Sequence, residues 1–291
     1  MAAPAENLRQ TELEWLARPP KPAHGWVGEF TRRNRYAAYT LLLGVAFLAV
    51  WEALARAELV DPVLVPAPTK IADGLLFLVR QDYFLKNFNV TIFEIIAGFL
   101  LGISIGVGLG ILLATVRLVR LTLYPYIIAF QALPKVVLAP LFIVWFGFGP
   151  ESKIATAAAI CFFPALVNTL VGLQLVEEDA LKLMRSLGAS GWQTFIKLRL
   201  PNALPHIFTG LKTSLTFALT GVIVAEFLTG AADGLGRLVQ VYNLQIQVDR
   251  ELGVVLIVTT LGIAGVTLLD RLHRRIVFWR TDDEQTPAGY Q

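Results

Sequence analysis

Side chains that could carry out chemistry are few and widely separated in this sequence of 291 residues. The three histidines, His24, His206 and His273, lie far apart and have no cysteine or carboxylate at a metal-ligand spacing. The single cysteine, Cys161, sits in an apolar run without a nucleophile motif. No glycine-rich phosphate loop ending in Gly-Lys-Ser or Gly-Lys-Thr occurs. We therefore expect no catalysis, no bound metal or cofactor and no nucleic-acid partner for this chain.

Charged side chains inside apolar runs are the remaining candidates, because charge is costly in hydrocarbon and is usually retained for a function. Lys135 could attract an anion at mid-depth if it faces a translocation path; otherwise it pairs with Glu226 or caps interrupted backbone. Glu226, late in the fifth predicted span, is a further candidate for this path. Gln131 and Asn168 could line the same path or simply bridge helices. Glu94 begins an apolar run, so solvation at the membrane interface is its simplest interpretation.

The elements that would position these residues are membrane-spanning helices. The chain is 55 % hydrophobic and only 16 % charged, whereas soluble domains average about 25 % charged residues. Uncharged runs of about 20 residues are long enough to cross a bilayer as helices. Prolines bend the third run, which we count as one span. The six predicted spans are 36–51, 95–116, 121–149, 154–176, 203–228 and 252–269.

The distribution of lysine and arginine predicts the orientation of these spans. With the N-terminus inside, the inner segments hold 17 such residues and the outer segments hold 7. Cytoplasmic loops are enriched in positive charge, so both termini are predicted to be cytoplasmic. The expected organisation is an N-terminal tail over 1–35, an all-α transmembrane domain over 36–280 and a short tail over 281–291.

Four glycines recur at every fourth position of the second span. Gly98, Gly102, Gly106 and Gly110 share one helix face, which allows another backbone to approach closely. That neighbour could be another helix of this chain or a second copy of the subunit.

The loop between the fourth and fifth spans, about 177–205, is too long and too patterned to be a simple connection. Gly188 suits a helix C-terminus, and Ser190 can cap a following helix. We therefore predict two short helices separated by a turn, which could present an apolar surface to a soluble partner. Their apolar residues are Leu181, Met184, Leu187, Trp192, Phe195, Ile196 and Leu200.

This loop resembles the EAA loop of ABC importer permeases. Gly188 is followed at the family spacing by Leu198 and by Leu200-Pro201. The family glutamate falls at Lys182, so its salt bridge could be rearranged or absent. The chain resembles most narrowly the permeases of the nitrate, sulfonate, taurine and bicarbonate importers. Supporting stretches are 132–135, 139–142, 145–147, 225–226 and 234–236.

The resemblance implies a coupling helix over about 190–200 that docks on a separate ATPase. It also implies a homodimer in a bacterial inner membrane, ATP and Mg²⁺ on the ATPase, membrane lipid around the chain, and a periplasmic or lipoprotein solute-binding protein. The implied coupling residues are Lys182, Gly188, Ala189, Ser190, Trp192, Phe195, Leu198, Leu200 and Pro201.

The implied cargo is a small oxyanion such as nitrate, a sulfonate, taurine or bicarbonate. A vitamin precursor or another small organic solute is the alternative cargo. A secondary transporter would be expected to show internal repeats, and an integral membrane enzyme would need a catalytic constellation. The sequence shows neither feature.

Overall fold

A computed structural model describes residues 26–230 and 232–279, with side chains from Ala38 onward. All regular elements in these ranges are helical, which confirms the predicted fold class. These elements include a 3₁₀ turn (Lys135–Val137) and a π turn (Phe195–Arg199). The helices are α1 (Trp26–Arg56), α2 (Pro68–Val79), α3 (Asp82–Thr115), α4 (Arg117–Ala132), α5 (Leu138–Phe146), α6 (Pro150–Gln174), α7 (Glu178–Ser186), α8 (Gly191–Thr194), α9 (Leu200–Thr229), α10 (Leu235–Leu244) and α11 (Val248–Ile276).

Five helical stretches are long and apolar enough to cross a membrane. The first lies in α1, over Ala38–Arg56, and forms a unit of its own within residues 1–60. The others are α3, α6, the continuous stretch Gly191–Thr229 and α11. A sixth crossing results if α4 and the segment containing α5 are counted together.

The bend between α4 and α5 follows from a proline. Pro134 disfavours a helical conformation for the residue before it, and Leu133 is extended, with φ −68° and ψ 136°. The axes on the two sides of this break differ by 84°. The break places Lys135 at an elbow between two apolar helices, as the prolines of this stretch predict.

The glycine face of α3 packs directly on α6 and fixes the relative direction of the two helices. A Cβ on Gly98 would lie 2.6 Å from the Cβ of Ala157, and one on Gly110 would lie 2.7 Å from that of Thr169. Each glycine thus faces the residue 59 positions later, so the two helices run parallel. The neighbour that the sequence left open is therefore a helix of the same chain.

The remaining long helices alternate in direction. Gly210 of α9 packs on Asn168 of α6, and Gly221 packs on Ala157, so α9 is antiparallel to α6. Gly262 of α11 packs on Leu219 of α9 and Gly265 packs on Leu215, so that pair is antiparallel as well. Because α3 and α6 are parallel, α4 and α5 together must return the chain from one end of the bundle to the other. This geometry favours counting them as one bent crossing.

Several boundaries differ from the sequence-based expectations. Helix α1 begins at Trp26, inside the segment expected to be a tail, and the remainder of that segment and residues 280–291 lie outside the described residues. Helix α3 begins at Asp82 rather than at 95. Helices α2 and α10 were not expected. Gly253 of α11 packs on Leu75 of α2, so α2 is held by tertiary packing rather than by a strong local pattern.

Substitution of Gly98 by leucine is expected to destabilise the subunit by about 1–3 kcal/mol through overpacking, since both the Ala157 Cβ and the Ile154 carbonyl oxygen block the new side chain. Gly108 lies on the same helix, and a Cβ there meets nothing within 4 Å. Gly108→Leu is therefore the matched control. Thermal unfolding of the detergent-purified proteins measures the difference, and equal midpoints for both variants would contradict the α3–α6 contact.

Candidate functional site

The predicted turn between the two loop helices is present and depends on Gly188. This residue has φ +70°, a conformation that L-residues with a Cβ rarely adopt. The amide of Gly188 donates to the Arg185 carbonyl at 3.0 Å, and the amide of Ala189 donates to the Met184 carbonyl at 3.0 Å. These bonds satisfy carbonyl groups that would otherwise be unpaired at the end of α7.

Ser190 caps the second loop helix, as the sequence predicts, and Gln193 completes a capping box with it. The amide of Gln193 donates to Ser190 Oγ at 3.2 Å, and the amide of Ser190 donates to Gln193 Oε1 at 2.8 Å. Helix α8 passes through the π turn directly into α9. Asn202 Nδ2 donates to the Leu175 carbonyl at 3.1 Å. The loop is therefore a preformed element tied to the ends of two long helices.

This loop exposes large apolar side chains. Leu187 and Trp192 are 72 % and 70 % exposed, and Leu183 is 59 % exposed. The Trp192 ring stacks on Phe195, with 5.9 Å between the ring centroids. An exposed apolar patch on a rigid helical element is typical of a surface that binds another protein.

The family glutamate position is occupied by a local ion pair. Lys182 Nζ lies 2.8 Å from Asp179 Oδ1, and both side chains are mostly exposed. Exposed pairs of this kind contribute about 0–1 kcal/mol, so Lys182 remains available to another partner. Leu198, Leu200 and Ala189 are half-buried and support the loop from within.

Lys135 lies at mid-depth in the bundle. Its Nζ is 5.0 Å from the centroid of the Phe163 ring, and Phe163 is close to the midpoint of α6. Within the described part of the chain, no carboxylate lies within 4.0 Å of this ammonium group. The alternative in which Lys135 pairs with Glu226 is therefore wrong, because Glu226 binds other groups.

The two amide side chains proposed for the same path are not brought together. Gln131 is exposed near the end of α4. Asn168 donates to the Pro164 carbonyl at 2.8 Å and packs against Gly210. In this structure Asn168 therefore helps to pack α6 on α9.

A buried ion pair links α3 and α6, and sequence analysis did not find it. Lys153 Nζ lies 3.0 Å from Glu94 Oε1, and the two side chains are 5 % and 0 % exposed. The interpretation of Glu94 as a residue solvated at the membrane interface is wrong, because its side chain is fully buried against Lys153. A signal was present, since Glu94 lies four residues before Gly98 and Lys153 lies 59 positions after Glu94. The Glu94–Lys153 pair has the same offset as the glycine contacts between α3 and α6 and lies about one helical turn before Gly98.

Glu226 organises a second buried network at the same end of the bundle. Its Oε1 accepts a hydrogen bond from Thr91 Oγ1 at 2.7 Å, and its Oε2 accepts from the Gly236 amide at 2.6 Å. The Leu235 amide donates to Thr91 Oγ1 at 2.8 Å, and the Gly234 amide donates to Asn87 Oδ1 at 2.6 Å. Through these hydrogen bonds, Glu226 and Thr91 hold the start of α10 against α3.

The fold and the loop define a polytopic helical membrane protein with an ordered loop that exposes large apolar side chains. A chain of the MetNI methionine ABC transporter, solved in an inward-facing conformation, shares this fold. The TM-score is 0.52 at 22 % identity, over 67 % of this chain and 94 % of that one.

The family follows from the sequence comparisons. Residues 106–280 match the model of the binding-protein-dependent transport system inner membrane component. The formylaminopyrimidine transport permease protein ThiX of Halalkalibacterium halodurans is 31 % identical over 86 % of this chain and 98 % of its own length. The putative aliphatic sulfonates transport permease protein SsuC of Bacillus subtilis is 28 % identical over 97 % and 99 %. The chain therefore belongs to this family of ABC importer permeases, whose membership implies an ATPase and a solute-binding protein as partners.

Proposed function

We propose that the loop formed by α7, α8 and the π turn docks in a groove of a separate ATPase subunit. Its exposed apolar face, centred on Trp192, is the observation that carries this assignment. The ATPase would bind ATP and Mg²⁺, and its closure would move the permease between inward- and outward-facing states. We further propose a homodimer in a bacterial inner membrane with both termini in the cytoplasm, an orientation supported by the lysine and arginine distribution.

The proposed cargo is a small solute bearing an oxyanion, delivered by a solute-binding protein. Two observations support it: the sulfonate permease among the relatives, and a half-buried lysine without a carboxylate partner at mid-depth. A positive charge in low-dielectric surroundings favours the passage of an anion. The attraction need not be tight, because a path must also release its cargo.

A heterocyclic organic solute is the second candidate. The formylaminopyrimidine permease among the relatives favours it. For that cargo Lys135 would be structural, with its ammonium group stabilised by the ring of Phe163 through a cation–π contact.

Uptake by Lys135 variants distinguishes the two cargoes. We expect Lys135→Met to lower sulfonate or taurine uptake at least about tenfold, because removing the charge raises the barrier for an anion. Lys135→Arg should keep part of the activity. The measurement is ATP-driven uptake into proteoliposomes that contain the permease, its ATPase and its binding protein.

Lys70→Met, which removes an exposed lysine on α2, is the matched control and should transport normally. Permease without its ATPase should show neither uptake nor ATP hydrolysis. Equal uptake by the wild type and both Lys135 variants, with assembly unchanged, would remove this lysine from the path. Undiminished uptake of a pyrimidine by Lys135→Met, with no anion uptake by the wild type, would establish the second candidate.

A further inference from the structure

A basic cavity lies at the end of the bundle that carries the α7–α8 loop. Its volume is about 410 Å³, and Arg117, Arg120 and Arg199 are among its lining residues. The remaining lining residues include Thr115 and Gln174 but no aspartate or glutamate. Two elements that are distant in sequence, α4 and the π turn, thus bring three guanidinium groups to one concave site, which the end of α6 also lines.

None of these guanidinium groups is neutralised within the described part of the chain. Neither an ion pair nor a side-chain hydrogen bond involves Arg117, Arg120 or Arg199 there. Like charges that share a cavity repel one another unless an anion lies between them. Helix α4 begins at this cavity with neither a side-chain cap nor an acidic residue in its first turn, so its positive dipole end adds to the attraction.

The position of the cavity indicates the source of the anion. It lies where the spanning helices α3 and α6 end, at Thr115 and Gln174, which is the level of lipid headgroups. A second cavity, of about 670 Å³ and lined almost wholly by apolar side chains, begins beside it. Leu113 lines the apolar cavity and the adjacent Ala114 lines the basic one, while Leu123 lies one helical turn beyond Arg120.

We propose that these two cavities together form a binding site for one anionic phospholipid. The phosphate accepts hydrogen bonds from Arg117, Arg120 and Arg199, and one acyl chain follows α4 into the apolar cavity. A planar guanidinium group can donate two parallel hydrogen bonds to two oxygens of one phosphate. Basic pockets between membrane-spanning helices are known to suit anionic lipid headgroups. Because α4 leads to the elbow at Lys135, a lipid held here would brace the bent crossing.

A carboxylate of the ATPase is the competing occupant of the basic cavity. The apolar cavity argues for the lipid, because a protein carboxylate would leave it unfilled whereas an acyl chain fills it. A free anion such as inorganic phosphate shares the chemistry of the headgroup but gains nothing from the apolar cavity.

Lipid binding to the full-length permease, purified with its ATPase and delipidated, tests the proposal by native mass spectrometry. Dioleoyl phosphatidylglycerol should bind at least about tenfold more tightly than dioleoyl phosphatidylcholine. Replacing Arg117, Arg120 and Arg199 together by glutamine should abolish this preference. Replacing Arg271, Arg274 and Arg275 by glutamine removes the same charge from the same end of the bundle, at the end of α11, and should leave the preference intact.

The single variant Arg120→Lys keeps the charge and should give an intermediate affinity, which allows the test even if the triple variant fails to fold. A wild type with no preference for phosphatidylglycerol would overturn the proposal, as would a triple variant that still shows it. Displacement of the lipid by equimolar inorganic phosphate would identify a site for free anions instead. If the triple variant no longer binds the ATPase but binds lipid as the wild type does, the three arginines contact the ATPase and do not form a lipid site.

Discussion

The Lys153→Met substitution is expected to reduce the yield of folded subunit to a small fraction of that of the wild type. Glu94 Oε1 accepts a hydrogen bond from Lys153 at 3.0 Å, and Glu94 Oε2 has no partner in the described part of the chain. Removing the lysine would leave a fully buried carboxylate without its counter-charge. Breaking a buried ion pair from one side costs about 3–5 kcal/mol, which is a large part of the stability of a typical domain. The yield of detergent-stable protein and its thermal unfolding midpoint measure the loss.

Two further variants distinguish the effect of leaving a buried charge unpaired from the effect of losing an ion pair as such. Glu94→Gln combined with Lys153→Met removes both charges of the pair and should recover most of the stability. Lys86→Met removes a lysine of α3 whose side chain is 67 % exposed and lies 2.8 Å from Asp233. It should change the unfolding midpoint little, because exposed pairs contribute about 0–1 kcal/mol. A Lys153→Met protein as stable as Lys86→Met would show that the Glu94–Lys153 pair does not hold α3 on α6.

Gly188→Val is expected to uncouple ATP hydrolysis from uptake while the bundle stays folded. A Cβ at this position meets nothing within 4 Å, so steric overlap is not the cause. The cause is the left-handed backbone, with φ +70°, which costs L-residues about 1–2 kcal/mol and β-branched residues more. A penalty of that size lowers the population of the docking geometry by about tenfold. The ratio of solute taken up to ATP hydrolysed, in proteoliposomes with the ATPase, is the measurement.

Gly191→Val is the matched control for this loop. Gly191 is the first residue of α8, lacks a positive φ and also has open space around its Cβ position. Valine there should leave the ratio close to that of the wild type. Normal coupling in Gly188→Val, or equal uncoupling in both variants, would mean that the turn does not set the position of the docking surface.

The local structure of the loop could be predicted from sequence because its signals are local. Gly188 is needed for the turn, and Ser190 with Gln193 forms the capping box within four residues of chain. Apolar runs likewise predicted the long helices, since a helix satisfies its own backbone hydrogen bonds in lipid. The break before Lys135 follows from Pro134 by the same local reasoning.

Pairings between distant residues required the tertiary structure. The four glycines of α3 predict a close neighbour, but only the parallel packing identifies it as α6. Once the offset of 59 residues is known, Glu94 must face Lys153, so its carboxylate is buried in an ion pair rather than solvated at the membrane interface. The same packing favours counting α4 and α5, which meet at the 84° bend, as one crossing of the membrane.

What the sequence determined by itself is the class of protein: helices long and apolar enough for lipid, and a structured loop whose turn and cap are formed within a few residues. What only the tertiary structure decided is which charges are neutralised. Lys153 and Glu226 find partners across helices. Lys135 instead lies against an aromatic ring, and the arginines of the basic cavity have no carboxylate partner among the residues that the structure describes. The physical reason is that Coulomb interactions depend on distance in space and on local dielectric, and neither is set by separation along the chain.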